Sequence, residues 1–295
     1  MHRKVILLLS AIMLATVLSG CSQTVEKTGV DIKPAEQVKV LVSILPQADF
    51  VKSIGGDKVS VMVLIPPGAN PEDYEMSPRQ IQEISEADIY IAVGDIPFEK
   101  IAFERVKSAN PDMPIINSPE ANEESEHDEA EEHNHDPHVW LSPKLVMEQA
   151  QIIYEALSQI DAANEALYLK NKNAYIAELN KLDAEIKELL ADRQRNYFLV
   201  YHPAWGYFAA DYGLTEMAVE KDGKEPTAYE MAQIIEAARA KDITAILASP
   251  QHSTRSAETI AKQLDGEVKI IDPLPADYIA GMRQAALVFK EVLSD

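Results

Sequence analysis

The sequence predicts an α/β protein of two lobes, each a four-stranded parallel sheet flanked by helices, joined by one long rigid helix. Three observations lead there. Short runs rich in Val and Ile alternate with helical patterns, the alternation occurs twice, and an extended charged helical stretch separates the two occurrences. A chain of 295 residues, 46% hydrophobic and 25% charged, is long enough to give each lobe a core of its own.

The first segment, MHRKVILLLSAIMLATVLSGC, has basic Arg3 and Lys4, an apolar stretch Val5–Leu18, and small residues before Cys21. Residues 1–20 read as an export signal, because the stretch falls short of the roughly 20 apolar residues that a bilayer span needs. Leu18-Ser19-Gly20-Cys21 resembles the lipobox of prokaryotic lipoproteins, which makes Cys21 the lipidation site and mature N-terminus. It is the only cysteine, so an intramolecular disulfide is excluded. Polar, aperiodic residues 21–37 then form a lipid-anchored tether. The net charge of −21 argues against nucleic acid as a partner, and removing the signal takes away two bases and no acids. Nothing suggests an oligomer, so a monomer is expected.

The N-terminal lobe, 38–160, carries strand patterns at Val38–Ile44, Val59–Pro66, Asp88–Gly94 and Pro114–Asn117. Its first helix follows Pro46 and stops at Gly55-Gly56. Its second opens at Ser77-Pro78-Arg79-Gln80, with Ser as N-cap, Pro at the first helical position and Gln completing a capping box. From Pro143 to about Asp192 the pattern is helical, broken near Asp161–Asn164. Residues 161–195 form the linking helix, with apolar Leu167, Tyr175, Leu179, Leu182, Ile186, Leu189 and Leu190. A helix so long and so charged is expected to act as a strut between lobes rather than as part of one core. The C-terminal lobe, 196–295, repeats the alternation at Tyr197–Tyr201, Thr215–Val219, Ile243–Ala248 and Val268–Ile271, and Thr227–Glu230 forms another capping box.

In open parallel sheets, ligands bind beyond the carboxyl ends of the strands. Glu72 and Asp73 follow the second strand, His138 follows the fourth, His202 closes the strand ending at Tyr201, His252 lies past Ala248, and Asp272 follows Ile271. Apart from His2 in the signal, every histidine falls at such a strand end. A single histidine there is often only a hydrogen-bonded structural residue, and Asp272 before Pro273 also suits a turn. The coincidence of positions points to a metal site shared by the lobes, an imidazole and a carboxylate from each, closed enough to favour binding over catalysis. Trp140 and Trp205 are expected as wall and core residues.

Residues 120–136 contain nine acids, no Lys or Arg, and His127, His133 and His135. This acidic His-rich loop is expected to be mobile and to attract metal weakly, with His127, His133, His135 and His252 as accessory metal residues. His138 differs, because apolar Val139-Trp140-Leu141 and the helix start at Ser142-Pro143 would fix it.

With PPGANPEDYEMSP, DPHVWLSP, YHPAWGYFAADYGL, KDGKEPTA, ASPQHSTRSAETIA and IDPLPADYI assembled, the chain resembles the solute-binding lipoproteins of ABC importers for zinc and manganese, the ZnuA-like group. The likeness runs from Val38 to Asp295. It implies two lobes joined by a long rigid helix and one divalent metal held in the cleft by Glu72, His138, His202 and Asp272. It also implies an exported, lipid-anchored receptor on the outer face of the cytoplasmic membrane that delivers metal to a membrane permease. One departure matters: where the family usually has His, this chain has Glu72 in Pro71-Glu72-Asp73-Tyr74. Two imidazoles with two carboxylates resemble the manganese sites of the group, whereas the His-rich loop accompanies its zinc proteins. Zn²⁺ is the expected cargo and Mn²⁺ the alternative.

Two other classes are weighed. A metal-dependent hydrolase is suggested by His133-Asn134-His135-Asp136-Pro137-His138, which differs from the H-x-H-x-D-H motif in having its Asp one place early, and no HExxH is present. A surface adhesin would need its binding to survive loss of His138 and His202. Neither is favoured, and the expectation is a receptor rather than an enzyme.

Overall fold

The computed structural model describes residues 37–94, 96–118, 136–221 and 223–294, all within one unit, Glu36–Asp295. The signal, Cys21, the tether as far as residue 36, His127, His133 and His135 lie outside the described residues.

All eight strand expectations are met. The first sheet contains β1 (Val38–Val42), β2 (Val59–Val63), β3 (Ile89–Ala92) and β4 (Ile115–Asn117) in the order β2-β1-β3-β4, with every pairing parallel. The second contains β5 (Tyr197–Val200), β6 (Thr215–Ala218), β7 (Ala245–Ala248) and β8 (Glu267–Ile270) in the equivalent order β6-β5-β7-β8, again parallel. In each, chain direction along the sheet reverses beside the first strand, leaving a crevice at the carboxyl ends of β1/β3 and β5/β7.

Nine α-helices among the described residues make the crossovers. They are α1 (Leu45–Gly55), α2 (Pro78–Ile84), α3 (Pro97–Ala109), α4 (Pro143–Ile160), α5 (Glu165–Leu189), α6 (Gly206–Tyr212), α7 (Ala228–Arg239), α8 (Arg255–Gln263) and α9 (Tyr278–Ser294). Both capping boxes are present, Ser77 with Gln80 at α2 and Thr227 with Glu230 at α7. The break between α4 and α5 is a 3-10 turn at Ala162–Asn164.

Helix α5 links the lobes over ~38 Å at 1.5 Å per residue, and it is also a core element. Tyr168, Tyr175, Leu179, Leu182 and Ile186 are buried along it at a heptad-like spacing. The stripe begins at Tyr168, not Leu167: only residue 168 lies on the same face as 175 and 179, so Leu167 is half-buried. These side chains join a core that contains Val40 and Phe50 of the first lobe and Phe198, Trp205 and Phe289 of the second. The expectation of a strut outside the core is therefore corrected. A separate, smaller core on the other face of the second sheet contains Leu199, Ile246 and Ile260. Alternate residues of β5 thus serve two cores, as a strand buried on both faces must.

Further ties cross between lobes. Trp140 Nε1 donates to the Pro273 carbonyl at 2.7 Å, Ser142 Oγ donates to Asp211 Oδ2 at 2.6 Å, and the Tyr278 amide donates to Asp49 Oδ2 at 3.1 Å. Among the described residues no helix is long and apolar enough to cross a membrane.

Candidate metal centre

Each functional side chain is fixed by the segment that follows its strand. Beyond β2, Asn70 Oδ1 accepts the Glu72 amide at 3.0 Å and the Pro71 carbonyl accepts the Phe98 amide at 3.2 Å, so the Asn70–Glu72 turn is pinned to the start of α3. Glu72 then lines a cavity between the lobes, while Asp73 is exposed and does not. Beyond β4, buried Val139, Trp140 and Leu141 form a 3-10 turn that runs into α4, whose N-cap Ser142 accepts the Leu145 amide at 3.1 Å. His138 is anchored at the head of this turn. Trp140 and Trp205 are both buried, Trp140 as cavity wall and Trp205 against Phe208 and Phe289.

The cavity brings Glu72 and His138 together with His202 and His252. His202 Nε2 stands 3.4 Å from Glu72 Oε1. The His138 and His202 rings are 5.6 Å apart and nearly perpendicular, and the His202 and His252 rings are 4.6 Å apart and nearly parallel. Asp272 is placed differently: it is exposed and outside the lining, although Pro273 and Leu274 belong to it. Its Oδ1 accepts the Leu274 amide at 2.9 Å and Gln251 Nε2 at 2.8 Å, so the turn suggested by Asp272-Pro273 is real.

Both central imidazoles are oriented by carboxylates. His138 Nδ1 lies 2.7 Å from Asp136 Oδ1, which also accepts the His138 amide at 2.9 Å. His202 Nδ1 lies 2.7 Å from Glu220 Oε2. With Nδ1–H donated to a carboxylate, each ring directs the lone pair of Nε2 outward, the arrangement that prepares histidine for a metal.

Sequence reasoning missed these two carboxylates. By sequence Asp136 closes the acidic run 120–136, but its contact with His138 brings it to the site. Gly206 makes room for it, since a β-carbon there would stand 2.6 Å from Asp136 Oδ2. Glu220 was recoverable from parallel register: Val200 pairs with Ala218, so two residues on His202 lies beside Glu220. The Glu220 amide bonds the Tyr201 carbonyl at 2.9 Å and continues that pairing.

The electrostatics suit a cation. Burial works against a charged His202, but the Glu220 hydrogen bond and the nearby charges of Glu72, Glu220 and Glu216 hold its pKa above the usual range. The bond to His202 holds Glu220 below the carboxylate range. Burial, with help from His202, lowers His252. Glu216, which accepts the Trp205 amide at 2.7 Å, is pushed up to about 7 by burial and by the charge of Asp136. Imidazole and carboxylate donors converging in an acidic, partly apolar cleft fit a divalent transition metal.

A family model described as the periplasmic component A of the zinc-uptake complex, ZnuA, matches residues 40–292. This chain belongs to the ZnuA family. It is 30% identical over 285 residues to the zinc-binding lipoprotein AdcA of Streptococcus pneumoniae, covering 92% of this chain and 55% of AdcA. It is 27% identical over 271 residues to the high-affinity zinc uptake system protein ZnuA of Bacillus subtilis, covering 88% and 85%. A crystal structure of a zinc-bound ZnuA deletion mutant superimposes with a TM-score of 0.82 at 36% identity, covering 88% of this chain and 99% of that one. The chain thus spans about half the length of AdcA.

Proposed function

We propose that this protein is an extracytoplasmic receptor that captures one Zn²⁺ in the cleft between its lobes and delivers it to an ABC permease. The observation that carries the proposal is the meeting of His138 and His202, one from each lobe, each with its Nδ1 held 2.7 Å from a carboxylate and facing a cavity shared with Glu72. The descriptions of AdcA and ZnuA as zinc proteins support the same cargo. Glu72, His138 and His202 are the proposed ligands, and Asp272 is the fourth that the family resemblance supplies.

The proposal includes a monomer tethered through lipidated Cys21 to the outer face of the membrane. It also includes a His-rich loop that feeds metal to the cleft, and no enzymatic turnover. Competitive titration of the metal-stripped chain with Zn²⁺ and Mn²⁺ tests the cargo. One tight equivalent of Zn²⁺ that Mn²⁺ cannot displace is expected. Retention of Mn²⁺ in preference to Zn²⁺ would move the assignment to a manganese receptor, with Glu72 as the cause.

A further inference from the structure

The cavity wall after β7, formed by Ser249, Gln251 and His252, is unused by the ligand set that the family resemblance supplies, yet it carries unpartnered polar groups. Ser249 Oγ and Gln251 Oε1 are buried without a hydrogen-bond partner, and both residues line the cavity beside His252. His252 offers a ligand atom within 4.8 Å of one on His202 and of one on Glu220, the carboxylate that holds His202 Nδ1, so it stands beside the central imidazole. Two imidazoles bound through Nε2 to one tetrahedral zinc at ~2.0–2.1 Å place their ring centres about 5 Å apart. The observed separations from His202, 5.6 Å to His138 and 4.6 Å to His252, bracket that value, and the His252 ring, stacked on His202 in this structure, has to turn for its nitrogen to share the ion.

Asp272 is less well placed to ligate. Its Oδ1 already accepts two hydrogen bonds, and the residue is exposed outside the cavity. One of those bonds comes from Gln251, the residue before His252. The carboxylate therefore holds the strap that carries the imidazole.

Resting on the receptor reading above, we propose that His252 is the fourth ligand of the cleft metal, giving three imidazoles and the Glu72 carboxylate, and that Asp272 is a positioning residue acting through Gln251. The third imidazole offsets the loss of nitrogen at position 72 and restores a donor set suited to zinc. Topology agrees, because His202 and His252 leave β5 and β7, the two strands that flank the crevice of the second sheet.

The test is zinc-edge X-ray absorption on the full chain carrying His127→Gln, His133→Gln and His135→Gln, loaded with one equivalent of Zn²⁺. Three imidazoles are expected, falling to two in His252→Gln. Zinc affinity should drop by more than ~100-fold in His252→Gln and by about 10-fold in Asp272→Ala, which removes the acceptor of the Gln251 bond, the scale of second-shell losses; a loss in Asp272→Ala as large as that in His252→Gln would return Asp272 to the ligand set. Two imidazoles before substitution, or an unchanged count in His252→Gln, would overturn the assignment while leaving a zinc receptor intact. A chain that holds no tight zinc at all would overturn the receptor reading and this inference with it.

Discussion

At the crevice of the N-terminal sheet, between β1 and β3, the space is filled by a buried carboxylate. Glu99 accepts the Val93 amide at 2.7 Å, the Gly94 amide at 2.6 Å, the Tyr90 hydroxyl at 3.3 Å, and the Ser43 hydroxyl. At the corresponding point of the C-terminal sheet, between β5 and β7, the space is open and holds His202 and His252. The first lobe instead offers its proposed ligands, Glu72 and His138, from the loops after its outer strands, β2 and β4. One topology thus supports two uses: the N-terminal crevice is plugged by an internal network that fixes the Ile96-Pro97 wall, and the C-terminal crevice presents imidazole to the cleft. A strand order locates where chemistry can sit, and the side chains decide whether the place is filled or used.

The contrast breaks most severely if ligands are removed from both lobes. His138→Ala with His202→Ala should abolish tight Zn²⁺ binding, a loss beyond the ~100-fold expected of outer-shell changes, while thermal unfolding of the metal-free chain stays cooperative. Survival of tight binding would mean that the two lobes do not share the site. The next effect concerns the join. Leu179→Ala in α5 should cost about 2–5 kcal/mol in denaturant unfolding, through a single transition, because Leu179 is buried in the core common to both lobes. Two separated transitions would show that the lobes fold independently.

Glu220→Gln sharpens the comparison further, with an expected loss of about 10–100-fold in zinc affinity, measured by competition with a chelator. The smallest effect is in pH. His202 is held above its ordinary range by Glu220 and Glu72 against the pull of burial. Its proton therefore competes with metal already above pH ~6.5, and zinc affinity should begin to fall above that value as the solution is acidified. The same raised pKa stabilises the metal-free fold below the unfolded value, and that contribution is lost as pH rises through the folded one. In Glu220→Gln the onset of the affinity loss should move to lower pH, and an unmoved onset would sever the link between Glu220 and His202.

Most of the fold was legible because the signals were local. The Val- and Ile-rich runs, Ser77 with Gln80, and Thr227 with Glu230 each state their element within a few residues. The first position of the α5 stripe is ambiguous in sequence because Leu167 and Tyr168 are both apolar, and only packing against the rest of the core selects Tyr168. The site was half legible for the same reason. Glu72, His138 and His202 announce themselves as strand-end residues, but Glu220 matters only once β6 is known to lie beside β5. Asp136 looks like one more acid in a run of acids until its distance from His138 is seen.

The proposed function stands on one zinc ion in the cleft, held by imidazoles from both lobes. Anomalous diffraction from crystals of the zinc-loaded chain, collected on either side of the zinc edge, tests it most directly. A strong peak is expected between the lobes, ~2.0–2.1 Å from Nε2 of both His138 and His202, with Nδ1 of each still bound to Asp136 and Glu220. A strongest peak away from the cleft, or one bound by residues of a single lobe, would contradict it.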